Sequence, residues 1–139
     1  MRALMFVLGA MAAIFHAAVS LASVSEPLVF DHRAVSVIDG ASFKVGDTIY
    51  HLAGVALPEQ RQTCDHDGTP KRCERAAAAE LRKLIELQAS PIHCFDHSGA
   101  GHLSTACFLN DRELSILLLE SGYVAARPGA PLHYVAAER

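Results

Sequence analysis

The sequence predicts a mixed α+β, strand-rich domain: a five-stranded β-barrel with two to three helices packed on it. Three observations carry that prediction. Residues 34–55 are rich in β-branched and alternating side chains and are cut by two turn signals, so they read as a three-strand meander. Residues 75–88 place apolar side chains at helical spacing, with no Gly or Pro among them. Two further short strands and a second helix follow before Gly122. A bare meander is unstable in water, so these later elements must close or cover it.

Each element has a local reason. Val35, Val37 and Ile38 give a first strand that stops at Asp39-Gly40, a dipeptide suited to a tight turn. Ser42 to Val45 alternates and ends at Gly46-Asp47. Thr48 to Val55 is the third strand, with Ile49, His51, Ala53 and Val55 on one side of an unbroken pleat. Residues 56–73 contain Pro58, Gly68 and Pro70 and have no period, so they read as a loop. From Arg75 to Gln88, Ala77, Leu81, Leu84 and Ile85 line one helix face, and Ser90-Pro91 ends it. The Ala76–Ala79 run reads as helix propensity. Ile92–Phe95 and Leu103–Leu109 are short strands around a loop at 96–102. Asn110 with Glu113 has the spacing of a capping box, opening a helix that Gly122 stops. Residues 133–139 read as the start of a final short helix. The order of three strands, helix, two strands, helix suits a barrel of the oligonucleotide/oligosaccharide-binding (OB) type.

Residues 1–22 set the expected compartment. Met1-Arg2 precedes an apolar run to Leu21, and Ser20 and Ala22 are small residues placed for a signal peptidase. A cleaved signal peptide over 1–22 is therefore expected, with an uncleaved anchor as the alternative, since about 20 apolar residues can span a bilayer. Residues 23–33 then form a linker, and 34–139 the domain. No second apolar run approaches that length, so the processed chain is expected without an integral membrane segment, exported to the periplasm or secreted. In an oxidising compartment Cys64, Cys73, Cys94 and Cys107 are expected to form two disulfides. No Cys-x-x-Cys pair is present, which disfavours a zinc ribbon or a thioredoxin-type site. Four cysteines allow three pairings. Sequence does not choose among them, although local closure favours Cys64–Cys73 and Cys94–Cys107.

The net charge of the whole chain is −3. Removing 1–22 takes away Arg2 and no acid, leaving 12 − 1 = 11 basic against 15 acidic residues. An acidic domain lacks the phosphate neutralisation from which nucleic-acid binding draws much of its affinity. The densest basic cluster, Lys71-Arg72 with Arg75, reads as a solvated face.

Four segments in order resemble the staphylococcal (thermonuclease-type) nuclease family. Val37-Ile38-Asp39-Gly40-Ala41-Ser42 is similar to its first signature, Val-x-Asp-Gly-Asp-Thr. His51-Leu52-Ala53-Gly54-Val55-Ala56-Leu57-Pro58-Glu59 resembles the second, Arg-Leu-x-Gly-Ile-Asp-x-Pro-Glu. Gln62-Thr63-Cys64 and Arg75 to Leu81 resemble the loop and helix of cysteine-containing bacterial members. Gly101-His102-Leu103 running into Ala106-Cys107-Phe108 resembles the third signature, Tyr-Gly-Arg-x-x-Ala-x-Cys. The resemblance covers roughly residues 35–124, with 134–138 as a truncated beginning of the family's last helix. It implies an OB-type barrel and phosphodiester hydrolysis of DNA or RNA by a Ca²⁺ site, a glutamate near the attacking water and two phosphate-binding arginines.

Most of those working groups are replaced. The second Asp of the first signature is Ala41 and the Asp of the second is Ala56, whereas Ca²⁺ wants 6–8 oxygen ligands. The two arginine positions hold His51 and His102, and imidazole cannot make the bidentate fork of guanidinium with phosphate. Ser42 replaces Thr, a mild change. Glu59 and Asp39 match the family's acidic residues, so Glu59, His51 and His102 are the candidate catalytic positions and Asp39 the remaining metal position. Two imidazoles and a carboxylate at His51, His102 and Glu59 could bind a transition metal in place of Ca²⁺. His93, His97 and His102 around Cys94 suggest a second metal set, against which stands a solvated turn beside a bridged cysteine. The expectation is a monomeric, exported nuclease-like domain without a resident cofactor or family-type hydrolysis, its partner unspecified. A weak or metal-shifted nuclease using Glu59 is the alternative. A module binding a peptide, a glycan or the cell envelope is a third class.

Overall fold

A computed structural model describes residues 26–66, 69–96 and 104–139. It holds a mixed α+β, strand-rich fold with three helices. Its strands are β1 (Leu28–Phe30), β2 (Val35–Asp39), β3 (Ser42–Val45), β4 (Thr48–Leu52), β5 (Val55–Ala56), β6 (Thr63–His66) and β7 (Thr69–Arg72). After helix α1 (Cys73–Gln88) come β8 (Ile92–Asp96), β9 (Ser104–Leu109) and β10 (Arg112–Glu113). Helix α2 (Leu114–Glu120), β11 (Ala125–Ala126) and helix α3 (Leu132–Ala137) complete the chain.

The main sheet runs β1-β8-β9-β4-β3-β2, with β10 as a third partner of β9. Among the described residues, only β4 and β9 pair in parallel. Its curl follows from one side chain. In a flat sheet β1 and β4, three strands apart, would be separated by about 14 Å. The Phe30 ring of β1 nevertheless lies 5.0 Å from the Tyr50 ring of β4 and 6.4 Å from the Phe43 ring of β3. The sheet therefore curls into a half-barrel around these aromatics. Ala77, Leu81 and Ile85 from α1 and Leu114, Leu118 and Leu119 from α2 are buried in the same core.

Several elements differ from the sequence reading. Leu28–Phe30, expected within the linker, is a strand facing Ile92–Cys94, followed by a 3-10 turn at His32–Ala34 capped by Asp31. Three apolar residues are too few to show a period, so only pairing with β8 reveals them. Residues 63–66 and 69–72, expected as loop, form the ribbon β6–β7. Its β7 residues are all exposed, which erases the alternation a sequence can show. Pro70 is tolerated because a two-stranded ribbon offers open edges. The third strand ends at Leu52, and Ala53-Gly54 turns the chain before β5. Within β4, Tyr50 and Leu52 point into the core while Ile49 and His51 point out; past the corner, Ala53 and Val55 turn inward, so the four residues do not share one side.

The capping box at Asn110 is also corrected. Asn110 sits at φ 53° in the turn between β9 and β10, and its side-chain amide donates to Gln88 Oε1 at 2.9 Å. Asn tolerates left-handed backbone, and here tight-turn chemistry wins over capping. Glu113 is drawn instead to the Tyr134 hydroxyl, which donates to it at 2.6 Å. Helix α1 has no Gly or Pro and stops at Ala89, at φ 44°, before Ser90-Pro91. Both disulfides take the locally favoured pairing, Cys64–Cys73 and Cys94–Cys107. Among the described residues no helix is long and apolar enough to cross a membrane. Residues 1–22, the expected signal or anchor, lie outside the described residues.

Candidate functional site

The first wall of the site is the Asp39-Gly40-Ala41 turn between β2 and β3. Asp39 Oδ1 accepts a 2.8 Å hydrogen bond from the Ala41 amide, which holds the turn, and the β2–β3 register shifts between Val37 and Asp39. Gly40 packs directly on α1: a Cβ there would lie 2.3 Å from Ala77 Cβ. Ala77 is thus a close-approach residue as well as a helix former. The Ala41 carbonyl accepts from the Leu52 amide at 2.8 Å and ties this turn to the end of β4.

The second wall is β4 and the corner after it. His51 stands opposite Ser42 and beside Ser104 of β9, with its side chain exposed. The corner is pinned at successive backbone groups. The Ala53 amide donates to the Thr105 carbonyl at 2.9 Å, and the buried Ser115 hydroxyl donates to the Ala53 carbonyl at 2.7 Å. The Gly54 carbonyl accepts from the Arg127 amide at 2.8 Å. Gly54 has φ 76°, and the Tyr134 ring covers it so closely that a Cβ would lie 2.4 Å from the ring. These constraints set the direction of Val55 to Leu57. β5 then pairs with β11, Ala56 facing Ala125 and Val55 facing Ala126, which carries Arg127 to the rim.

Together these segments enclose an open cavity of about 330 Å³ lined by Asp39, Ala41, His51, Leu52, Val55, Ala56, Leu57 and Arg127. The fold therefore gathers Asp39 and Ala41 of the β2–β3 turn with His51 and Ala56 of the β4–β5 segment at one place. Glu59 is exposed two residues beyond Leu57 and does not line this cavity. Its carbonyl accepts from the Gln62 amide at 3.0 Å, and Arg72 Nη2 donates to the neighbouring Gln60 carbonyl at 2.8 Å. Glu59 thus sits in a braced turn at the root of the β6–β7 ribbon. His102, His97 and Gly101 lie outside the described residues. Cys94 is buried in its disulfide, and neighbouring His93 is on the opposite, half-exposed face of β8.

Arg127 is the residue that sequence reasoning missed. It stands alone before Pro128-Gly129, with no pattern around it. Only the pairing of two-residue strands about seventy positions apart brings it to the cavity. Among the described residues no ion pair engages its guanidinium. The cavity thus offers one carboxylate already holding an amide, one imidazole and one cation. That set can hold a small anionic or hydrogen-bonding group by charge and shape. Among the described residues no three His, Cys, Asp or Glu side chains converge to hold a metal ion. Asp39 is the sole carboxylate lining the cavity, which falls short of a Ca²⁺ shell unless groups beyond those described contribute.

The Tyr134 brace beneath the corner has its own signature. Burial, and then the hydrogen bond to the Glu113 carboxylate, push the Tyr134 phenol well above the usual tyrosine range. The native state therefore favours the neutral phenol, and its contribution to stability is full below pH 10 and declines as pH rises past it. Tyr134→Phe should cost about 1–2 kcal/mol at pH 7. It should also flatten the stability loss between pH 10 and 11 in urea titrations. An equally steep loss in the variant would assign that titration to another group.

Compared with models of known protein families and with curated proteins, the chain matches none.

Proposed function

We infer that the chain is an exported, staphylococcal nuclease-like domain of the OB-barrel type that lacks the family's Ca²⁺-dependent phosphodiester hydrolysis and serves a binding or structural role. The observation that carries this reading is the cavity where Asp39, Ala41, His51 and Ala56 meet. By resemblance, these positions should bring two further carboxylates and an arginine. In their place stand two methyl groups and an imidazole. Losing one charge-stabilising group from such a site costs about 10²–10³ in rate, and although such losses are not additive, several together leave little of the family chemistry. Export is supported by the apolar start and by two disulfides, which persist in oxidising compartments.

Arg127 favours a second reading, a weak or metal-shifted phosphodiesterase in which its guanidinium replaces a lost phosphate clamp and Glu59 activates water. One experiment separates the two. The purified protein is incubated with single- and double-stranded DNA and with RNA, in Ca²⁺, Mn²⁺, Zn²⁺ or EDTA. No metal-dependent cleavage is expected, and Glu59→Ala should behave as the parent does. Cleavage that requires metal and disappears in Glu59→Ala would overturn the first reading. Binding without cleavage that weakens steeply with salt would identify a nucleic-acid module.

A further inference from the structure

Away from the Asp39–Arg127 cavity, a groove of about 600 Å³ runs between β7 and the outward face of α1. Lys71 and Arg72 come from the ribbon, Arg75 and Lys83 from the helix, and Tyr123 from the segment after α2. Among the lining residues the acid is Glu80, and Glu74 stands beside Arg72 at the groove's edge. Four of the chain's 12 Lys and Arg thus line one groove, giving it a local charge of +3 in a protein of net charge −3. Lys71-Arg72 with Arg75 reads in sequence as a solvated face. Folding adds Lys83 and Tyr123 and makes that face concave.

We propose that this groove binds a small phosphate ester carried on a ring, such as a sugar phosphate or a nucleoside monophosphate. The volume suits a small-molecule site, for which about 300–1,000 Å³ is usual. The cations divide into two kinds. Arg72 is committed to the Gln60 carbonyl and lies 3.8 Å from Glu74, and Lys83 pairs with Glu80 at 3.4 Å. Lys71 and Arg75 have no ion pair among the described residues and are the groups able to take an anion. Guanidinium binds phosphate through two parallel hydrogen bonds, and a nearby ammonium adds a point charge. Ala76 and Ala79 form a low floor on the helix face, which leaves room for a ring near Tyr123. The groove is also preorganised. The Cys64–Cys73 disulfide joins the ribbon to the first residue of α1, and the Cys73 amide donates to the Gln62 carbonyl at 3.0 Å. A rigid wall of this kind reduces the ordering cost of binding.

Calorimetric titration of the intact protein tests the proposal with adenosine 5′-monophosphate, glucose 6-phosphate, inorganic phosphate and unphosphorylated adenosine and glucose. The ring phosphates should bind more tightly than either inorganic phosphate or the unphosphorylated rings. Arg75→Ala, an exposed change to a good helix former, should weaken them about tenfold or more. Ala79→Phe, which fills the floor, should abolish binding. Arg139→Ala, which removes the same charge elsewhere, should leave affinity unchanged. Absence of binding at millimolar ligand, or equal losses in Arg75→Ala and Arg139→Ala, would overturn the proposal. Tighter binding of a hexaglutamate peptide than of either ring phosphate would also overturn it, and would mark the groove as a docking face for acidic protein segments.

Discussion

Replacing both Cys94 and Cys107 with alanine is expected to lower stability by about 3–5 kcal/mol. The corresponding pair Cys64→Ala and Cys73→Ala should cost clearly less. Loop length alone does not separate them. The sequence separations are 13 and 9, and the chain-entropy model assigns these loops nearly the same closure term, differing by about 0.3 kcal/mol. Position separates them. Cys94 and Cys107 lie directly opposite each other on β8 and β9 and are fully buried, so their loss also opens space beside Ile92 and Leu109. Cys64 is on a ribbon exposed to water, and only Cys73 reaches the core. By thermal unfolding, the first pair of substitutions should lower Tm by roughly 10–20 °C. Equal shifts for the two pairs would show that closure entropy, and not burial, governs both bridges.

The second large effect is expected at Gly54, where alanine should cost about 2–4 kcal/mol. Roughly 1 kcal/mol of this comes from the left-handed backbone at φ 76°, and the rest from forcing a methyl group into the Tyr134 ring. The two parts can be separated. In a Tyr134→Ala background the steric part disappears, and Gly54→Ala should then cost only about 1 kcal/mol. Additive losses in the double mutant would mean that the ring does not press on this corner. The prediction bears on function because the same corner aims Val55 to Leu57 along the cavity. A variant that folds with a displaced corner should lose whatever the cavity binds, even though Gly54 does not line it.

The contrast between Asp39 and Arg127 shows why one half of the site was legible and the other was not. Asp39-Gly40 is a local signal: the carboxylate bonds an amide two residues on, so a short peptide already carries the information. Arg127 reaches the cavity through pairing of Ala125–Ala126 with Val55–Ala56, and two-residue strands of alanine and valine show no period. The same physics explains β1 and the β6–β7 ribbon. One is too short to alternate, and the other is too exposed to need alternation. Asn110 and Glu113 fail differently. Their spacing fits a cap, but a tight turn and the Tyr134 hydroxyl compete for the same groups and take them.

By itself the sequence determined the class of fold, the α1 core face at Ala77, Leu81 and Ile85, the stop at Gly122, and the absence of carboxylate side chains at positions 41 and 56. These depend on residue type and on contacts within a few positions, which spacing encodes directly. Tertiary structure alone decided that Asp39, His51 and Arg127 share one cavity, and that Lys71, Arg75, Lys83 and Tyr123 share one groove. Those groupings depend on the curl of the sheet around Phe30 and on the pinned corner at Gly54. Both arise from contacts between residues far apart in the chain, which local spacing does not encode.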